Sequence, residues 1–500
     1  MSWRTFAARS AFDKSRRTPL IARRDTRGEF GEDSMCIRRD GLGARPAKSS
    51  FACDDASPKT SRRKFLKASA TVAAASAAIE VPRAQAQTRE VDRLRNARRI
   101  LIKNGCILSM DKQVGDFAKG DVLVEGGKIR EVRPNISASD AVIVDATNRI
   151  VTPGFIDTHH HFHYGPLRNI LSNGLLRNSF ANTPPRDAKG AVRPEYMKDI
   201  DDHLTSFYNA DDAYAATLVS ALGVIDMGTT SAVDTSQVQH TPEHTDACIK
   251  AFRESGLRVL YAYSRGMGAK HQYPQDLPRI QKQYFNSTDQ LMTLALGGGL
   301  DKSQFTFARK NGVRMVSHGV NNRTEKSLHE LQAEKLPGAG DIYIHCTQLS
   351  DDSWKVLRDT GGKVSLAVPI EMHMGHGMPG IQGALDFGIR PSLSSDVATT
   401  MAPDAFTLMR HTMNLQRLLM LQRADKKDPT PTSLLTTRDV LEFATIEGAR
   451  SMGLESKTGS LTPGKDADIL LLDAGRLNVW PLNNATRSEE HTSELQSHSF

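Results

Sequence analysis

Cysteine is scarce in this chain of 500 residues: five in all, Cys36, Cys53, Cys106, Cys248 and Cys346. Beyond residue 86 only the last three remain, an odd and widely spaced set. That excludes a disulfide framework and a Cys-x-x-Cys metal or redox pattern. The three read as small buried apolar side chains. Long apolar runs are missing too. The Ala-rich stretch Ala68 to Ile79 falls well short of the roughly 20 residues a spanning helix needs, which excludes a membrane anchor. No solenoid repeat is visible. A formal net charge of +8 would by itself point to nucleic acid or an acidic surface. Its position removes that reading: residues 1–86 hold 18 Lys+Arg against 9 Asp+Glu, a net +9, so the remainder carries −1. Nucleic acid is therefore not expected as a partner.

What is present begins with the leader. Ser61-Arg62-Arg63-Lys64-Phe65-Leu66-Lys67 precedes the apolar stretch, and Ala84-Gln85-Ala86 supplies a small-x-small cleavage pattern. The combination resembles a twin-arginine export signal, with Arg62 and Arg63 as its pair. It implies passage of the folded, metal-loaded chain through the twin-arginine machinery to the periplasm or the exterior. Residues 1–58 exceed what a signal needs, and Met35 offers a later start. At the other end, Arg487 to Phe500 reads RSEEHTSELQSHSF, the translation of a common sequencing-library adapter. These residues are expected not to belong to the gene, so His491 and His498 are set aside as ligands and the composite domain described next is expected to be cut short.

Between these ends, short β-branched runs alternate with stretches of helical period, the pattern of a parallel α/β fold. Expected strands after the first lie near Thr229–Asp234, Arg258–Tyr263, Leu291–Leu296, Val313–His318, Asp341–Cys346, Lys363–Val368 and Arg390–Asp396, with a final helix over Arg438–Leu454. Eight strands fit a (β/α)8 TIM-type barrel, assigned to residues 153–463. Residues 98–152 and 464–486 carry short strand-and-turn units at both flanks, which are expected to pair into one small composite β-sandwich. The expected organisation is thus a leader (1–86), the composite domain, the barrel, and the adapter-like tail (487–500).

Within the run VTPGFIDTHHHFH, His159 and His161 stand two apart at the end of a strand. Side chains at i and i+2 share a face, so both can reach one metal ion while His160 points away. Further metal-competent groups end other strands: His318, His345 and Asp396. Any one alone is a core histidine or a helix cap, Asp396 included. Five strand-end groups that could meet at a barrel mouth point to a site. His163 reads as a supporting residue or a loop residue. Glu371, His373 and His376 sit in a Met/Gly/Pro-rich loop and either line the substrate pocket or lie on the surface. His240 and His244 flank a helix start and read as structural.

At these residues the chain resembles the amidohydrolase superfamily, in its cytosine deaminase and chlorohydrolase-like branch. The motifs are PGFIDTHHH (153–161), TPEHTDA (241–247), IHCTQLSD (344–351), EMHMGHGMP (371–379), SLSSD (392–396), and ATIEGARSMGL with GSLTPGKDADILLLD (444–473). The resemblance implies a barrel with a composite β-sandwich, one divalent metal, and hydrolysis of non-peptide C–N or sometimes C–Cl bonds of a small nitrogen-containing substrate. It places His159, His161, His318 and Asp396 as metal ligands. Asp396 and His345 become the catalytic pair, moving the proton of a metal-activated water and polarising the substrate. Three imidazoles and a carboxylate suit Zn2+ or Fe2+. One departure stands out. Ring deaminases of this kind carry a glutamate three residues after the fifth-strand histidine, and here that place is Asn321. Either Asp396 and His345 handle every proton, or Glu325 or Glu371 reaches in, or the substrate needs no ring protonation. A catalytically silent binding barrel and a hydrolytic dehalogenase are the alternatives, and self-association is left open.

Overall fold

Strands buried on both faces read as unbroken runs without polar alternation, and Thr229–Ser236 and Arg258–Tyr263 are of this kind, every residue buried. Such strands belong in a parallel sheet covered by helices. The computed structural model describes residues 5–7, 92–176, 195–428, 433–476, 479–483 and 485. Arg62, Arg63, the cleavage pattern and the 487–500 tail lie outside the described residues. Eight parallel strands follow one another in chain order: β7 (Phe155–His160), β8 (Thr229–Ser236), β9 (Arg258–Tyr263), β10 (Met292–Gly298), β11 (Met315–Asn321), β12 (Ile342–Thr347), β13 (Lys363–Leu366) and β14 (Ser392–Leu393). The sheet closes at its C-terminal rim. There the Asp396 N–H donates to the His159 carbonyl and the His161 N–H to the Asp396 carbonyl, each at 2.9 Å. The TIM-type barrel is therefore the observed fold, and its closing seam runs through the candidate ligands.

Apolar side chains fill the N-terminal half of the barrel. Ile156, Val233, Leu260, Ala295, Val316, Ile342 and Ile344 form one buried cluster with Ile446, Ala449 and Met452. The expected single final helix is two, Thr437–Phe443 and Ile446–Met452. The chain breaks between them because the Ala444 carbonyl leaves the helical ladder to accept the Ile156 N–H of β7 at 2.8 Å. Gly448 lies so close to that strand that a Cβ there would fall 2.7 Å from Ile156 Cβ. No helix among the described residues is long and apolar enough to cross a membrane.

Strands from both flanks share one further sheet: β1 (Thr5–Ala7), β2 (Arg99–Ile107), β3 (Phe117–Glu125), β4 (Lys128–Arg133), β5 (Val142–Asp145), β6 (Arg149–Pro153) and β15 (Asp468–Asp473). Its hydrogen bonding is continuous through seven strands, which unites the two flanks in one β-sheet domain. β15 pairs antiparallel with β6 from Ile469 opposite Pro153 to Asp473 opposite Arg149. Arg258, fully buried at the start of β9, ties barrel to sheet: its Nε donates to Asp468 at 3.1 Å and its Nη2 to Asp466 at 2.5 Å.

Candidate metal centre and active site

β7 ends at His160 and leads directly into a 3-10 turn, Phe162–Leu167, with His161 at its N-cap. The extended backbone keeps His159 and His161 on one side, their rings 4.7 Å apart. His160 turns the other way and lies 2.7 Å from Ser395 Oγ. Ser395 in turn donates to the buried Asp157, whose other oxygen accepts the Ser395 N–H at 3.1 Å. This arrangement braces the residue that precedes Asp396. Asp396 itself has φ +58, and His345 has φ +74. Left-handed backbone at two non-glycine residues is strain that surrounding contacts must hold, and it gathers at functional sites.

One donor atom from each of His159, His318, His345 and Asp396 lies within 4.8 Å of the others. His159 Nε2 stands 3.0 Å and His161 Nε2 3.3 Å from Asp396 Oδ1. His345 Nε2 stands 3.7 Å from Asp396 Oδ2 and 3.4 Å from His318 Nε2. The fold thus brings together all five strand-end groups, His161 included. Burial pushes His159 down to about 4, and burial with the neighbouring imidazoles puts His318 well below its ordinary value. Burial opposes charge on Asp396, but His159, His161 and His345 outweigh it and hold that carboxyl well below the usual range. Two imidazoles held neutral, His159 and His318, converge with His161 on an ionised carboxylate, a donor set able to hold a divalent metal ion.

The surrounding residues depart from expectation in several places. Glu371 and His373 lie on a helix, α7 (Val368–His373), where a loop was expected, because Pro369 starts a turn directly after β13. Glu371 is buried behind His345, with Oε1 3.1 Å from Nδ1, so it faces that ring and does not line an open pocket. Burial would push His345 down, yet the Glu371 hydrogen bond and the nearby carboxylates raise its hold on a proton. His373 is exposed and its Nε2 donates to the Ser172 carbonyl at 2.8 Å, which takes it out of the site. His376 packs on His345 with ring centroids 4.7 Å apart. His163 is buried against Tyr164, 4.0 Å between rings, in place of the loop position expected of it. His240 and His244 donate to the Thr205 and Tyr208 carbonyls, each at 2.9 Å, as structural residues do.

The Asn321 amide bonds back onto its own turn, donating to the Gly319 carbonyl at 2.8 Å and accepting the Arg323 N–H at 2.9 Å. Glu325 accepts the Ser350 N–H at 2.5 Å and does not reach in. Two features escaped the sequence. Thr235 Oγ1 lies 2.8 Å from His159 Nδ1, a support that a Thr in β8 does not advertise. Tyr164 donates to Asp201 and accepts from Tyr196 at 2.5 Å beside His161, a network built from segments 32 and more residues apart.

The amidohydrolase family model matches residues 150–296 and 306–495. The chain belongs to the amidohydrolase family. It is a hydrolase of that metal-dependent class, acting on non-peptide C–N bonds. Among similar proteins, a 5'-deoxyadenosine deaminase of Methanococcoides burtonii is 26% identical over 406 residues, 77% of this chain and 86% of the relative. A 5-methylthioadenosine/S-adenosylhomocysteine deaminase of Thermococcus onnurineus is 27% identical over 417 residues, 77% and 88% of the two chains. Of solved structures, an adenosine deaminase from Xanthomonas campestris with bound zinc superposes with TM-score 0.64 at 17% identity, covering 77% of this chain and 87% of its own. Atrazine chlorohydrolase from Arthrobacter aurescens TC1, complexed with zinc, gives 0.62 at 20%, covering 77% and 90%. At these identities the structural likeness speaks for the fold. The strand ends of this amidohydrolase that bear the candidate ligands all fall inside the matched residues.

Proposed function

We propose that this amidohydrolase cleaves a C–N bond of a small amide- or amidine-bearing compound whose attacked carbon is activated without protonation of a neighbouring ring nitrogen. The observation that carries this is Asn321, turned back on its own backbone at the place where a ring-protonating acid is needed, with Glu325 and Glu371 both engaged elsewhere. Asp396 faces the donor cluster and takes the proton of the attacking water, then returns it to the leaving nitrogen. His345 Nε2 accepts a hydrogen bond from the attacking water and orients it toward the carbon. His159, His161, His318 and Asp396 hold one Zn2+ or Fe2+, which when bound lowers the pKa of water toward neutrality. A second reading, removal of a purine ring amine, is favoured by the names of the relatives.

Turnover of a panel of cyclic amides, amidines, adenosine-type ring amines and chloro-heterocycles, read as ring opening, ammonia or amine release, and chloride release as each substrate requires, decides between them. The amide and amidine members should turn over faster, and chelation should abolish turnover throughout. Faster release from the adenosine-type amines would overturn the first reading. We further propose export by the twin-arginine route, supported by Arg62-Arg63 ahead of the Ala-rich stretch. The variant carrying Arg62→Lys with Arg63→Lys should stay in the cytoplasm, folded and metal-loaded, because the signal is an address and not part of the fold. Cell fractionation checks it, and unimpaired export would remove the proposal.

A further inference from the structure

α7 begins immediately after β13 with Ala367 at its N-cap, and Glu371 lies in its second half, fully buried. Glu371 Oε1 accepts the Ala367 backbone N–H at 2.8 Å and faces His345 Nδ1 at 3.1 Å. A backbone N–H can only donate, so Oε1 is an acceptor, and an acceptor oxygen facing the ring places the hydrogen of His345 on Nδ1. Oε2 is buried and has no protein partner. Leaving a carboxylate half-satisfied in the interior is costly, and capping a six-residue helix does not call for it, since an exposed side chain would serve.

The cost is intelligible if the carboxylate acts on the ring. His345 has left-handed backbone and stands at the rim of β12, where its ring must be held against rotation to keep Nε2 3.4 Å from His318 Nε2 and 3.7 Å from Asp396 Oδ2. We infer that Glu371 is a positioning residue: it locks His345 in the Nδ1–H tautomer and aims Nε2 at the reacting atoms. The inference rests on His345 belonging to the active site. It assigns to a carboxylate on α7 the task of orienting the one imidazole that, with no acid at position 321, must meet the substrate.

The test compares Glu371→Gln with Glu371→Leu in the full, metal-loaded chain. Gln keeps an Oε1 that can accept from both Ala367 and His345, whereas Leu keeps the volume and removes the acceptor. Long-range 15N–1H NMR of histidine-labelled protein, with the His345 signals assigned by His345→Asn, reads the tautomer without any turnover. Metal per chain and the separate kcat and KM values are measured alongside. Glu371→Leu should move the hydrogen off Nδ1 and lower kcat by roughly 10- to 100-fold, with KM and metal content unchanged. Glu371→Gln should keep the Nδ1–H tautomer and most of kcat. An unchanged tautomer in the Leu variant would overturn the inference. So would a Gln variant that folds but has lost the tautomer, and this second outcome decides the matter if Leu does not fold. Because the tautomer is read independently of substrate, a wrong substrate class leaves the NMR result standing.

Discussion

His318 shows what a single side chain contributes here. It lies within β11 with its Nε2 against His345 and its ring 4.9 Å from His159, and burial keeps it neutral and ready to coordinate. His318→Ala should lose stoichiometric metal, and turnover with it, in elemental analysis and activity assays. His373→Ala is the matching control, because that ring reaches the Ser172 carbonyl and not the donor cluster. It should keep both metal and activity. Equal metal in the His318 variant and the parent would take His318 out of the site. The two histidines look alike in sequence, each near a strand end, and only the direction of the side chain separates them.

At the scale of elements, the seam and the pin matter most. β14 is two residues long, yet it carries Ser394, Ser395 and Asp396 into bonds with β7 and β13 that close the barrel. β9 is joined to the last sheet strand through Arg258, whose guanidinium is buried between Asp466 and Asp468. Removing the buried guanidinium takes away the charge that both carboxylates face, so Arg258→Ala should cost about 3–5 kcal/mol. Arg258→Met, which keeps volume but takes the guanidinium away from both carboxylates, should recover little of it. Urea unfolding of the three proteins measures this. A cost below about 1 kcal/mol, the value typical of an exposed pair, would show that the bonds do not hold the sheet to the barrel.

For the whole molecule, buried acids set a pH dependence. Asp234 of β8 is fully buried and accepts the Phe162 N–H at 3.4 Å, and burial raises its carboxyl from 3.8 to about 7. The native state therefore holds a proton between about pH 4 and 7 that the unfolded chain releases. The contribution to stability is complete below about 4 and is lost as pH rises through about 7, on the order of 4 kcal/mol at most. Asp234→Asn, which stays neutral, should flatten the fall in thermal midpoint between about pH 4 and 7. A parent protein whose midpoint does not fall over that interval would show that Asp234 ionises freely in the fold.

The barrel was legible because its signals are local. Runs such as TTSAVD and RVLYAY are β-branched or apolar enough to be buried on both faces, their ends lie within a few residues of the observed strands, and the candidate ligands stand near where such runs stop. Spacing alone put His159 and His161 on one face, since the period of a strand is two. The sequence also showed, at Asn321, where an expected acid is missing. It could not show what replaces that acid. The Glu371–His345 contact joins residues 26 apart across two strands, Asp396 meets His159 across 237, and Arg258 meets Asp468 across 210. The break at Ala444 likewise depends on a carbonyl captured by β7. Chain identity and period determine which elements form and which residues end them. Where each side chain points, and what it touches, was decided only when barrel closure brought distant strand ends within hydrogen-bonding distance.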